Sequence, residues 1–238
     1  MSDTVAKPIP RRFRSPVMLV LRWIAQRCLL GPTLWIMVRV TVTGKENLKA
    51  LTGPYIAVGN HSSHLDAPLI VCAIPWKHAK YLASGAAADY FFDQAWRRVL
   101  TSLFFNAYPV DRTGGGTRPR LSRALLANDC SLLIFPEGGR ATQGAPMRPF
   151  KPGAASLSIS TTSQILPIGL VGSQQAMPRG KSWPVWGRKH VEVNIGAPMY
   201  AEPDETAREF AVRMERTVAD LSTQPHPVHP NDEQGAQQ

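Results

Sequence analysis

Two short segments of this chain place ionisable side chains where chemistry is done. In Gly59-Asn60-His61-Ser62-Ser63-His64-Leu65-Asp66, a histidine and an aspartate stand five residues apart. The apolar run Tyr55 to Val58 precedes them and the helix-like run Ala67 to Ala73 follows, so they fall at a strand-to-helix turn, where α/β folds place their sites. Residues five apart do not share a helix face, but a turn can carry Asp66 back onto the His61 ring. A carboxylate there fixes the imidazole tautomer, and an imidazole of ordinary pKa, about 6.5, can then accept a proton from a hydroxyl near neutral pH. This is a hydrolase triad with the nucleophile left to the substrate. Two other readings stay open: His61 as a capping or core histidine with Asp66 an ordinary first-turn carboxylate, and His64 as the base, though it stands only two residues from Asp66.

The second segment is Phe135-Pro136-Glu137-Gly138-Gly139-Arg140, after the apolar run Leu132 to Phe135. Its glycines permit positive φ and close backbone approach, and the Arg140 guanidinium is a forked, permanent cation suited to phosphate. Glu137 can hydrogen-bond a glycerol hydroxyl or orient an arginine. A bare loop of this kind is also a common tight turn with a solvated ion pair. A weaker third cluster, Tyr108-Pro109-Val110-Asp111-Arg112, leads into Gly114-Gly115-Gly116 and makes Arg112 a further phosphate candidate.

The elements that must hold these groups alternate. Strands are expected at Arg39–Thr43, Tyr55–Val58, Lys80–Ala83, Ala107–Val110, Leu132–Phe135, Ile165–Val171 and Val191–Ile195. Helices are expected at Leu65–Ala73, Gln94–Phe104, Arg118–Ala127, Lys151–Ser160 and Asp204–Leu221. The pattern implies an α/β fold, a mixed, largely parallel sheet flanked by helices. Residues 1–14 form a basic polar tail, 15–42 a membrane-associated segment, 43–221 the main domain and 222–238 a disordered tail.

In the apolar stretch Val17 to Val42 the longest uncharged run is only Cys28 to Val38, with Arg22, Arg27 and Arg39 interrupting the rest. A clean spanning helix is therefore not expected. Instead two short helices broken at Gly31-Pro32 would lie in the interface with their arginines near lipid phosphates. A signal peptide lacks a convincing cleavage site, and a buried core hairpin is the remaining alternative. The net charge of +10 asks for an anionic partner, lipid headgroups or nucleic acid. No nucleic-acid-binding motif accompanies it. Cys28, Cys72 and Cys130 are odd in number and scattered, indicating neither a disulfide framework nor a zinc site and suiting a cytosolic face.

Taken in order, these segments resemble the glycerolipid acyltransferase family that includes the lysophosphatidic acid acyltransferases. His61 and Asp66 match its His-x4-Asp motif and Arg112 its second block. Phe135, Pro136, Glu137, Gly138 and Arg140 match its Phe-Pro-Glu-Gly-x-Arg block, and Leu166-Pro167-Ile168 its fourth. Phe150-Lys151-Pro152-Gly153-Ala154 resembles the segment leading there, and the likeness runs from about Val17 to Leu221. It implies His61 as general base, Asp66 as its orienting partner, and Arg112, Glu137, Gly138 and Arg140 as binders of the acceptor headgroup. It further implies direct attack of a lysophospholipid hydroxyl, most readily that of 1-acylglycerol-3-phosphate, on acyl-CoA or acyl carrier protein at the cytoplasmic membrane face. The resemblance implies no metal or cofactor and no covalent acyl-enzyme. Departures at Asn106, Pro109, Gly139, Ala141 and Gly169 keep other acceptors open, such as lyso-ornithine lipid, and a non-catalytic lipid-binding scaffold is the alternative from another class. Gly85 to Ala88 with Tyr90, Phe91 and Phe92 are candidates for lining an acyl tunnel.

Overall fold

The computed structural model describes residues 9–87, 95–110, 119–142, 144–181 and 183–223. Arg112, Gly114 to Gly116, Ala88, Tyr90 to Phe92 and most of both expected tails lie outside them. Seven strands, β1 (Arg39–Thr43), β2 (Tyr55–Gly59), β3 (Ala83–Ala87), β4 (Tyr108–Val110), β5 (Leu132–Ile134), β6 (Gln164–Val171) and β7 (His190–Ile195), form one sheet in the order β1-β7-β6-β2-β5-β3-β4. Every neighbouring pair is parallel except β6 with β7.

Strand β2 is buried along its whole length, as expected of a parallel strand covered on both faces. Its side chains alternate between two cores. Tyr55 and Ala57 join Leu69 and Ile70 of the helix α2 (Asp66–Ala73), while Ile56 and Val58 join three helices on the other face. Those helices are α5 (Pro119–Ala127), α6 (Gly153–Thr161) and α8 (Ala207–Thr223). Gly169 on β6 is the contact point of α8: a Cβ there would stand 2.3 Å from the Leu221 carbonyl carbon.

The third strand sits further along than the apolar run Lys80 to Ala83 suggests. Trp76–Ala79 winds into a short helix, α3, and the Leu82 N–H closes a turn on the Ala79 carbonyl at 2.9 Å. The strand proper uses small residues because β4 lies close: a Cβ at Gly85 would stand 2.7 Å from Val110 Cγ2. Low intrinsic β propensity yields to tertiary packing here.

The N-terminal apolar stretch is one helix, α1 (Pro16–Met37), rather than two. Ser15 caps it, Pro16 opens it, and residues Ile24–Leu30 take π-helical bonding. Pro32 follows directly on the π-helical turn, where the wider bonding accommodates a residue without an N–H, and the chain continues through the expected break. By length and composition α1 could cross a membrane, and only 22% of its most apolar window is buried.

The arginines of α1 face the protein, not lipid phosphates. Arg22 is buried and donates to Asn106 Oδ1 at 2.8 Å, and Gln26 donates to the Phe104 carbonyl at 2.6 Å on α4 (Ala95–Phe105). Asn106 adopts φ +49°, a left-handed conformation that asparagine tolerates. Arg27 donates to the carbonyls of Cys72 at 2.7 Å, Ile74 at 2.6 Å and Val71 at 3.3 Å, closing the C-terminus of α2. With these cations turned inward, Val17, Val20, Ile24, Leu29 and Ile36 form an exposed apolar strip.

Arg27→Ala takes a charged donor from three carbonyls at a helix end. It should lower stability by about 2–4 kcal/mol, read as a drop in thermal midpoint in detergent. An unchanged midpoint would show that water replaces the guanidinium at no cost.

Candidate active site

The site lies at the carboxyl ends of the parallel strands β2 and β5. Asn60 extends the pairing of β2 with β6 by one residue through its side chain: Nδ2 donates to the Leu170 carbonyl at 2.9 Å and Oδ1 accepts from the Leu170 N–H at 2.8 Å. The turn that follows is therefore held at its start. It is held at its finish by Asp66, the first residue of α2, which is fully buried. Asp66 Oδ2 accepts from the Ser62 N–H at 2.7 Å, the Ser63 N–H at 2.8 Å and His61 Nδ1 at 2.8 Å.

The carboxylate so placed keeps the hydrogen of His61 on Nδ1 and leaves Nε2 as the proton acceptor. The ring is also fixed from its face, stacked on Phe135 with centroids 4.2 Å apart and planes 17° apart. The His61 side chain is 22% exposed, whereas that of Asp66 has no exposure at all, as a base and its buried orienting partner require. His64 is exposed, and partial desolvation, with Arg140 and His61 nearby, pushes its pKa below the usual imidazole value. Geometry thus separates the two histidines: Asp66 serves His61.

Glu137 ties two backbone segments together. It is 2% exposed, Oε1 accepts from the His61 N–H at 2.6 Å, and Oε2 accepts from the Arg148 N–H at 2.9 Å. Each oxygen accepts from backbone, which clamps the His61 turn to the loop after β5, and the side chain also lines a smaller cavity beside His61. Burial lifts its pKa above the usual carboxylate value, against the pull of those two N–H groups and of His61. Further bonds from the Ala141 N–H to the His61 carbonyl, 2.8 Å, and from the Lys151 N–H to the Pro136 carbonyl, 3.0 Å, wrap the loop around the turn. Gly138 makes the wrap possible: its φ is +70°, and a Cβ would stand 2.9 Å from Lys151 Cε.

In front of His61 opens a cleft of about 500 Å³ lined by His61, Gly138, Gly139, Arg140, Thr142, Arg148 and Arg179. Gly138 and Arg140, two of the residues expected at the acceptor headgroup, both line this cleft. Arg148 and Arg179 were not singled out by sequence, because neither belongs to a motif and folding alone brings them to Arg140. A signal does exist: the chain contains no Asp or Glu between Glu137 and Glu192, so nothing in that span neutralises its cations. A second, smaller cavity of about 220 Å³ also touches His61, bounded by Met147, Leu170, Val171 and Gln174 among others.

The Acyltransferase family profile matches residues 39–171, from β1 to the end of β6. A 1-acyl-sn-glycerol-3-phosphate acyltransferase of Chlamydomonas reinhardtii is 32% identical over 145 residues, 60% of this chain and 42% of that protein. A protein of the same name from Saccharomyces cerevisiae is 27% identical over 203 residues, 84% of this chain and 65% of that one. The chain thus spans between about two fifths and two thirds of the length of these relatives. Among solved structures, the 1-acyl-sn-glycerophosphate acyltransferase PlsC of Thermotoga maritima shares the fold, with a TM-score of 0.65 over 88% of this chain and 95% of that one, at 19% identity. With its profile matched over more than half of the residues and its two motif turns joined at His61, this chain belongs to the acyltransferase family.

Proposed function

We propose that the chain transfers a fatty acyl group from acyl-CoA or acyl carrier protein to the free hydroxyl of a lysophospholipid, 1-acylglycerol-3-phosphate in first place, giving phosphatidic acid. The observation that carries this reading is the His61–Asp66 pair, 2.8 Å apart, opening onto a cleft that holds three arginines. A phosphate monoester carries close to two negative charges at neutral pH, and forked guanidinium donors match it. Lyso-ornithine lipid, whose headgroup pairs one carboxylate with a cationic amine and carries no net charge, suits such a cleft less well.

In the proposed reaction the arginines hold the acceptor phosphate and bring its hydroxyl to His61 Nε2. As the hydroxyl oxygen attacks the thioester carbonyl, Nε2 takes the proton and Asp66 stabilises the imidazolium. The tetrahedral intermediate collapses, the C–S bond breaks, and the departing thiolate recovers the proton from His61. The base comes from the chain itself, and the proposal includes no resident metal or cofactor. The exposed strip of α1 seats the protein on the cytoplasmic leaflet, where thioester donors and lysolipid meet.

The test is radiolabelled acyl transfer by purified membranes with lysophosphatidate, lyso-ornithine lipid and other lysolipids offered in parallel, each with both donor types. Product from lysophosphatidate that disappears with His61→Ala supports the proposal. Product from a different lysolipid replaces the acceptor, and no product from any of them, with vesicle binding intact, leaves a lipid-binding scaffold.

A further inference from the structure

Away from α1 and the cleft, the largest apolar side chains left in solvent among the described residues are Trp183, 69% exposed, and Trp186, 98% exposed. Both lie in the loop between α7 (Ser173–Ala176) and β7, beyond the residues matched by the family profile. The same loop carries Arg179, Lys181, Arg188 and Lys189 and no carboxylate. It is tied down at several points. The Val185 N–H donates to the Ala176 carbonyl at 2.7 Å, and the Arg39 N–H donates to the Lys189 carbonyl at 3.0 Å. Arg188 reaches the Trp35 carbonyl of α1 at 2.7 Å. That last bond sets the loop against the end of the apolar helix, beside Trp35 and Ile36, the latter 72% exposed.

Indoles collect at membrane–water interfaces, where the ring meets hydrocarbon and the N–H meets water, and neighbouring cations are drawn to anionic headgroups. We infer that this loop is a second membrane anchor, which seats Trp183 and Trp186 in the headgroup region of an anionic bilayer next to the exposed strip of α1. The surface is continuous with that strip, and its charge is of one sign. A loop facing water would have no reason to leave two indoles bare. Arg179 lies in this loop and lines the cleft. The anchor therefore brings one of the cleft's arginines down to the level of lipid phosphates, where an acceptor could be taken from the bilayer without passing through water. The inference goes beyond the proposed reaction and does not depend on which acceptor is used.

The full chain is tested by co-sedimentation with vesicles of phosphatidylcholine alone and of phosphatidylcholine with phosphatidylglycerol. The double variant Trp183→Ala/Trp186→Ala should partition at least about tenfold more weakly to both. Lys181→Gln/Lys189→Gln should lose roughly fivefold per charge on the anionic vesicles alone. A second readout reports contact of the indoles with lipid: brominated lipid should quench wild-type tryptophan emission more than that of the double tryptophan variant. Wild-type partition and quenching in that variant overturns the inference. The same holds if it binds vesicles normally but no longer binds acidic acyl carrier protein, which makes the face a protein-docking surface. Acyl transfer to a short-chain lysolipid dissolved as monomer should be unchanged in the tryptophan variant. If the wild type shows no transfer but its vesicle binding depends on the two tryptophans, the anchor stands and the proposed reaction falls.

Discussion

His61→Ala should lower kcat/KM for acyl transfer by about 10²–10⁴-fold, the usual worth of a positioned general base. The variant should remain folded, because the main-chain bonds of residue 61, from its N–H to Glu137 and to its carbonyl from Ala141, do not need the imidazole. The side chain gives up only the Asp66 bond and the stack on Phe135. Asp66→Asn should fall in the same range and mainly in kcat. The three donors converge on one oxygen, so an amide can keep its own oxygen there, but a neutral acceptor no longer stabilises the imidazolium that forms when His61 takes the proton. Steady-state kinetics with lysophosphatidate decide the matter. Rates within a few-fold of wild type in both variants would remove the dyad from the reaction.

The second large effect is expected at Glu137. Alanine leaves two inward-facing N–H donors, those of His61 and Arg148, without their acceptor. At about 1–3 kcal/mol for each unsatisfied donor, the loss is about 2–6 kcal/mol, a large part of the 5–15 kcal/mol by which a domain is usually stable. Activity should fall with it, in kcat more than in KM, because Glu137 acts through the position of His61. Glutamine keeps one acceptor oxygen and should recover part of both losses.

A pH series isolates the charge. Burial raises the folded pKa of Glu137 above its unfolded value. Stability linked to this proton is therefore fully present below the unfolded pKa and is lost as pH rises through the folded one. The advantage of wild type over Glu137→Gln in thermal melts should shrink across that window. An advantage that grows with pH would mean that the two N–H bonds outweigh desolvation.

The dyad was legible because its geometry is local. A turn between an apolar strand and a helix leaves few positions for a histidine five residues before an aspartate, and chain reversal does the rest. The centre of the sheet was legible for a similar reason, since β2 and β6 bury nearly every residue and read as apolar runs. Glu137 was not, because the donors it serves are backbone groups that any residue carries. No side-chain pattern announces them. Arg148 and Arg179 share a cleft only after β5 and β6 are laid beside β2. The orientation of Arg22 and Arg27 was misread since the partners that draw them inward, Asn106 and the open carbonyls at the end of α2, lie on other elements. A charge on an otherwise apolar helix looks the same whether its partner is lipid or protein.

The guanidinium of Arg27 at the far end of the Asp66 helix bears on how this protein can be handled. A soluble derivative trimmed ahead of β1 would escape detergent but would also strip three carbonyls at one end of the helix whose other end holds Asp66 against His61. It would take away the guanidinium that Asn106 accepts as well. Poor turnover from such a derivative would then report a loosened helix and not an absent membrane, so screens for soluble fragments are better begun from point changes on the exposed strip of α1 than from deletion of the helix.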